Sequence, residues 1–226
     1  MSMEWYDMIA KRNGGYKSNA KYTVEGVSGE TIFERKLSKM LEKYDEVLDA
    51  GCGHGEFTLK MRRHANRIIG IDNSIEMIKI ANRLKADLRA QRVDFLHCST
   101  KEPLPFKDHQ FDLIYSRRGP TSIIDQNRIL KSGGMIFGIH SANMDGLEEK
   151  LIDQGFSEIE FDVYDSTFLV FPDKDEFAKY LTDTHGNPDY TSPENRLKFE
   201  ELIAIHTVGD KIKYKEWRFI WKAKRR

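Results

Sequence analysis

The chain has 226 residues, of which 36 are basic and 36 acidic, for a formal net charge of zero at pH 7, so its bulk electrostatics demand neither nucleic acid nor an anionic membrane. Two cysteines, Cys52 and Cys98, are too few for a disulfide framework and have no metal-ligand spacing, so no metal is called for and a reducing, cytoplasmic setting is expected. No apolar run approaches the roughly 18 residues that span a bilayer, and the length fits one α/β domain with an insertion or cap.

Residues Trp5 to Lys11 have the spacing of a short amphipathic helix. Asn13 to Gly29 follows as a polar loop with four glycines and the aromatics Tyr16 and Tyr22. Apolar positions at Ile32, Phe33, Leu37, Met40 and Leu41 predict a helix over 31–44. From there strands and helices alternate. Strands are expected at 45–50, 67–72, 92–98, 111–116, 134–140 and 157–165, and helices at 55–65, 74–88, 121–130 and 144–154. Such alternation argues for a parallel sheet covered on both faces, with ligands at the carboxyl ends of its strands. The segment from Pro172 to Val208 reads as a helical insertion, and 211–222 as a last strand that turns back antiparallel. The alternation of Trp217, Phe219 and Trp221 with Arg218, Ile220 and Lys222 supports that strand over a basic nucleic-acid tail.

The most informative stretch is Val47-Leu48-Asp49-Ala50-Gly51-Cys52-Gly53-His54-Gly55. An apolar strand that breaks into glycines and then enters a helix lets a nucleotide-like ligand lie against bare backbone, since no Cβ stands in the way. Asp72 ends the next apolar run, 21 residues after Gly51. A carboxylate there can accept hydrogen bonds from both hydroxyls of a ribose.

With VLDAGCGHGEF (47–57), IIGIDNSIEMIKIA (68–81), LPFKDHQFDLIYS (104–116) and RILKSGG (128–134) in this order, the sequence resembles class I S-adenosylmethionine-dependent methyltransferases of the small-molecule type over about residues 30 to 170. The resemblance implies an α/β, Rossmann-like, doubly wound, mainly parallel seven-stranded sheet with a helical cap. The corresponding divisions are 1–30 as an N-terminal cap or loop, 31–171 as the cofactor-binding core, 172–208 as a lid and 209–226 as the final strand. The G-x-G-x-G spacing, against G-x-G-x-x-G, disfavours a nicotinamide enzyme.

Carried over residue by residue, the resemblance places Gly51, Cys52 and Gly53 under the methionine part of S-adenosylmethionine. It puts Asp49 near the amino group, Asp72 on the ribose, and Asn73 beside the adenine. No carboxylate follows the strand 92–98, and Ser99 is left to accept a bond from the adenine amino group without charge assistance. Ser116 lies at the end of the fourth strand of the motif. Only about eleven residues separate it from Arg128, so the rim there should be low and open. Arg117 and Arg118 follow on alternating sides of an extended chain, so at most one is expected to face the pocket, with Arg117 the candidate anion clamp. His140, at the end of the fifth strand, is a candidate base.

The acceptor expected from this reading is a small or medium-sized molecule, with an anionic one admitted by the arginine pair. An RNA or protein acceptor, or a module that binds the cofactor without transferring its methyl group, are the competing readings. The loop 13–29 and the insertion 172–208 are expected to form a mobile cap that presents Tyr16, Tyr22, Phe177 and Tyr180 to the acceptor, with ordinary core the other reading of Phe177 and Tyr180, which stand at helical spacing.

Overall fold

A computed structural model describes residues 3–141 and 145–226. Among these the chain forms seven α-helices and a single nine-stranded sheet. In chain order the elements are α1 (Met3–Asn13), β1 (Thr23–Glu25), α2 (Gly29–Leu41), β2 (Glu46–Ala50), α3 (Glu56–Met61), β3 (Arg67–Asp72), α4 (Ile75–Asp87), β4 (Val93–His97) and β5 (Phe111–Arg117). They continue as β6 (Leu130–His140), α5 (Leu147–Asp153), β7 (Phe156–Phe171), α6 (Lys174–Thr182), α7 (Arg196–His206), β8 (Thr207–Val208) and β9 (Lys211–Arg225).

The strand order is β1-β7-β9-β6-β5-β2-β3-β4, with β8 beside β9. The five strands from β4 to β6 are parallel. Strand β9 inserts antiparallel between β6 and β7. Seven of the nine strands are those expected from the sequence; the additions are the short β1 and β8. Because β2 sends its crossovers toward β3 on one side while β5 and β6 lie on the other, the order reverses at β2/β5. A crevice opens there at the carboxyl ends of the strands.

Alternation along each strand sorts the core onto the two faces. Leu48, Ile69, Ile114, Ile136 and Trp221 pack on one face with Ile123, Ile124, Leu147 and Leu151. Val47, Ile68, Leu113, Phe137 and Ile220 pack on the other with Phe33, Leu37 and Leu41 of α2. The segment Thr121–Ile129 is a 3-10 helix rather than an α-helix. The expected helix 144–154 is α5, and its first expected residue, Met144, lies outside the described residues.

Strand β7 runs six residues past its expected end at 165. Its extension pairs with the first half of β9, from Thr167↔Glu216 to Phe171↔Ile212, beyond the reach of β6. This protruding ribbon gives α6 and α7 something to pack on. Leu169, Phe171, Phe177, Leu181, Phe199, Ile203 and Ile212 form a small second core there. Phe177 is fully buried in it, and Tyr180 and Tyr22 pack against Phe171 with tilted rings, so of the four aromatics only Tyr16 lines the central cavity. Helical spacing identified a buried face but not which core it joins.

Candidate functional site

The crevice at the strand ends is an open cavity of about 140 Å³. It is walled by Gly51, Gly53, Asp72, Asn73 and Ser99 on one side and by Arg117, Arg118, Gly119 and Pro120 on the other, with Tyr6 and Tyr16 above.

The first wall is built by short-range hydrogen bonds. Strand β2 ends, and the amides of Gly51 and Cys52 both donate to the Ile71 carbonyl, each at 2.9 Å. The Gly53 amide donates to Asp72 Oδ2 at 2.9 Å, and Ser74 N donates to Asp72 Oδ1 at 2.9 Å. The turn is therefore fastened to β3, and its first three amides are already employed. Asp72 nevertheless keeps acceptor capacity, since each carboxylate oxygen has more than one lone-pair site. Burial pushes its carboxyl above the usual range, partly offset by those amide bonds.

The two motif glycines do different work. Gly51 has φ +84, and a Cβ there would sit 2.7 Å from Pro120 Cδ and 2.8 Å from Gly119 Cα. It is required by the approach of the segment after β5. Gly53 has φ +54, and a Cβ there would meet only Tyr16 Cβ, at 4.0 Å. It faces open space.

Four residues expected at the site lie outside the cavity wall. Asp49 is 2% exposed and accepts from Thr58 Oγ1 at 2.6 Å and Tyr115 Oη at 2.8 Å, both through Oδ2. Burial raises its carboxyl to about 6 despite the two hydroxyls and Arg117. It acts on the cavity as a buried charge beneath the turn rather than as a wall. The Cys52 side chain turns away into a cluster with Leu59, Ile78 and Phe95, and burial drives its thiol well up. Ser116 is fully buried, and its Oγ has no hydrogen-bond partner among the described residues.

His140 also departs from expectation. Trp221 Nε1 donates to its Nδ1 at 3.1 Å, which fixes the proton on Nε2, and that donates to the Gly119 carbonyl at 3.0 Å. Both ring nitrogens are thus engaged, and burial lowers the imidazole below its ordinary value. His140 braces the segment after β5 instead of presenting a base.

The second wall holds the largest surprise. Both arginines line the cavity. Alternation fails because β5 stops at Arg117 and Arg118 takes a left-handed backbone, φ +58. The organiser is Glu30, in the first turn of α2. It accepts from Arg117 Nε at 2.8 Å and from Arg218 Nε at 3.0 Å, and lies 3.3 Å from Arg118 Nε. Burial alone would raise Glu30, but the guanidiniums of Arg118, Arg117 and Arg218 hold it at about 2.

The N-terminal segment packs beside the mouth. Tyr16 N donates to His54 Nδ1 at 3.1 Å, and Ser74 Oγ bonds Asp7. Asp183, just after α6, accepts from Arg12, Asn13, Ser18 and Asn19. Trp5, Tyr6, Tyr16 and His185 meet as an aromatic cluster, with Tyr6 and His185 stacked at 5.5 Å. Tyr6 and Glu30 had no signal in local spacing, whereas Arg118 was weighed with Arg117 as a pair of which at most one faces the pocket. Those two enter the site through tertiary contacts alone.

A strand order that reverses beside a glycine turn, with a carboxylate closing the neighbouring strand, is an arrangement shared with known proteins. A family model described as a methyltransferase domain matches residues 47–134. Over that stretch the chain is similar to class I S-adenosylmethionine-dependent methyltransferases. A malonyl-[acyl-carrier protein] O-methyltransferase of Hamiltonella defensa is 29% identical over 147 residues, 62% of this chain and 52% of that protein. An uncharacterized protein of Methanocaldococcus jannaschii is 29% identical over 222 residues, 92% of this chain and 79% of that one. The chain thus spans about half the length of the first relative and most of the second. In fold it resembles a functionally unknown protein from Deinococcus radiodurans, with a TM-score of 0.72 at 24% identity, covering 99% of this chain and all of that one. Among the described residues no helix is long and apolar enough to cross a membrane.

Proposed function

We propose that this chain transfers a methyl group from S-adenosylmethionine to a small or medium-sized acceptor, in the cytoplasm, where its two free cysteines stay reduced. The observation that carries the proposal is Asp72. It stands in the cavity at the end of β3, locked in orientation by Gly53 N and Ser74 N, with spare acceptor sites for a ribose diol. The fit extends to the rest of the wall. The open space at Gly53 takes a ligand against backbone, and Asn73 and Ser99 border the far end where an adenine would lie. The carboxylates Asp49 and Asp72 favour a ligand with a positive charge.

When bound, the cofactor supplies an activated methyl on a sulfonium and an excellent leaving group. The chain's own work is alignment and the exclusion of water. Glycine turn and Asp72 hold one partner; Tyr6, Tyr16 and the segment Arg117–Pro120 bound the space for the other. No histidine lines the cavity among the described residues, so an assisting base is not assigned.

Calorimetric titration with S-adenosylmethionine, S-adenosylhomocysteine and NAD tests the reading. Saturable binding of the first two and none of NAD is expected. Binding of NAD, or of neither sulfur compound, would overturn it.

A further inference from the structure

The three guanidiniums around Glu30 are unequally employed. Arg218 has a partner at each of its three nitrogens: Nε donates to Glu30, Nη1 to the Trp217 carbonyl, and Nη2 lies 2.9 Å from Glu216. Arg117 donates Nε to Glu30 and rests its guanidinium on Phe57, 4.5 Å from the ring centre. The Arg118 guanidinium donates no hydrogen bond to any described residue; its backbone amide alone is engaged, donating to the Ile139 carbonyl. Its Nε is buried and faces Glu30 at 3.3 Å without the alignment of a bond. Tyr16 lies under it, 5.4 Å from the ring centre to Cζ.

A guanidinium carries five N–H donors in a planar fork, and leaving them unused in a closed place costs free energy unless a ligand takes them. The same residue holds a left-handed backbone, φ +58, which Gly or Asn would adopt at less cost. Strain and unused donors coincide at one position in the cavity wall. Charge points the same way, for within ion-pair distance Arg117, Arg118 and Arg218 meet two carboxylates, Glu30 and Glu216. One positive charge is left over, opposite the acidic wall of Asp49 and Asp72.

We propose that Arg118, flanked by Arg117, holds the anionic head group of the methyl acceptor, a carboxylate or a phosphate, in a two-bond fork. The proposal rests on the cavity being a methyltransferase active site. A cationic methyl donor lodged against the acidic wall would face an uncompensated guanidinium, and an acceptor anion between them removes that repulsion. Glu30 is then a positioning residue. It anchors Arg117 and Arg218 and leaves Arg118 the free donors.

The test is titration of the full chain with sodium phosphate and sodium propionate at constant ionic strength, following the Arg118 Nε–Hε resonance, with and without saturating S-adenosylhomocysteine. A saturable shift that persists with S-adenosylhomocysteine bound is expected, and the tighter anion identifies the head group. Arg118→Asn suits the left-handed backbone, so the fold should survive while anion affinity falls about tenfold or more, the scale of a charged hydrogen bond. Arg118→Lys should restore part of it. Absence of a saturable shift, or unchanged affinity in Arg118→Asn, overturns the proposal. So does a shift that S-adenosylhomocysteine abolishes, because the fork would then serve the amino-acid carboxylate of the cofactor itself. Failure of S-adenosylhomocysteine to bind while the anion shift stays intact would remove the methyltransferase reading and leave an anion site.

Discussion

On the acidic side of the cavity most supporting bonds are short in sequence: Gly53 to Asp72 spans 19 residues and Thr58 to Asp49 spans nine, while Tyr115 to Asp49 spans 66. On the arginine side the bond from Arg218 to Glu30 spans 188 residues and that from Arg117 to Glu30 spans 87. One wall is a local motif that a βαβ unit forms wherever it folds. The other exists only when α2, β5 and β9 have all docked. The acidic wall should therefore respond to substitution as a rigid binding surface, and the arginine wall and cap as a tunable one.

The largest effect is expected from a contrast within the glycine turn. Gly53→Val places a β-branched residue at φ +54 and fills the open space below Tyr16. It should abolish S-adenosylhomocysteine binding, by about 100-fold or more, while the fold persists. Gly51→Ala drives a Cβ into Gly119 and Pro120 and should lower stability by about 2–4 kcal/mol through strain and overpacking. Calorimetry and thermal melts on the two variants should dissociate. If Gly53→Val binds normally, the open space is not a ligand site.

Asp49 comes next, and its sign is testable. Its carboxyl is raised from 3.8 to about 6, chiefly by burial, so between these values the folded chain holds a proton that the unfolded chain has released. Stability from this group is present at low pH and is lost as pH rises from about 4 to about 6, by up to about 3 kcal/mol. Asp49→Asn removes that loss and keeps an acceptor for Thr58 and Tyr115. Above pH 6 the variant should be more stable than the parent yet bind S-adenosylmethionine more weakly. Equal stability of the two across pH 4–8 would show that Asp49 is ionised without penalty.

Asp72→Ala is expected to weaken S-adenosylhomocysteine binding by about 1.5–3 kcal/mol, roughly 10–150-fold. An unchanged dissociation constant in the folded variant would remove Asp72 from the site.

The same contrast in sequence distance explains what could be read in advance. The seven main strands, the order reversal they imply, and Gly51, Gly53 and Asp72 all follow from periodicity and local motif, because each is fixed by neighbours a few tens of residues away. The fate of His140 was not legible, since Trp221 and Gly119 reach it only across the sheet. Cys52 and Ser116 sit at motif positions, yet a strand end turns alternate side chains into the core. Arg118 was misplaced because alternation was extended one residue beyond the strand. Glu30, with Arg117 87 residues away and Arg218 188, had no signature at all.

The smallest effect, and the sharpest probe of the long-range side, concerns Asp183. Its carboxylate is nearly buried and collects Arg12, Asn13, Ser18 and Asn19, so it ties the N-terminal segment to the end of α6. We propose that this tie lets residues 13–29 and 172–208 act together as a cap over the cavity. In Asp183→Ala the main sheet keeps all its contacts, and the global melting temperature should move little. The segment holding Tyr16 and its bond to His54 should open more often, with amide protection over 13–19 falling about tenfold for the loss of one or two charge-assisted bonds. Because Tyr16 covers Gly53, release of S-adenosylhomocysteine should quicken while the association rate holds. Hydrogen exchange with and without that ligand decides the matter. Equal protection of both segments in the two states would mean the cap is fixed by Asp183 alone, and unchanged release in Asp183→Ala would mean it does not gate the cavity.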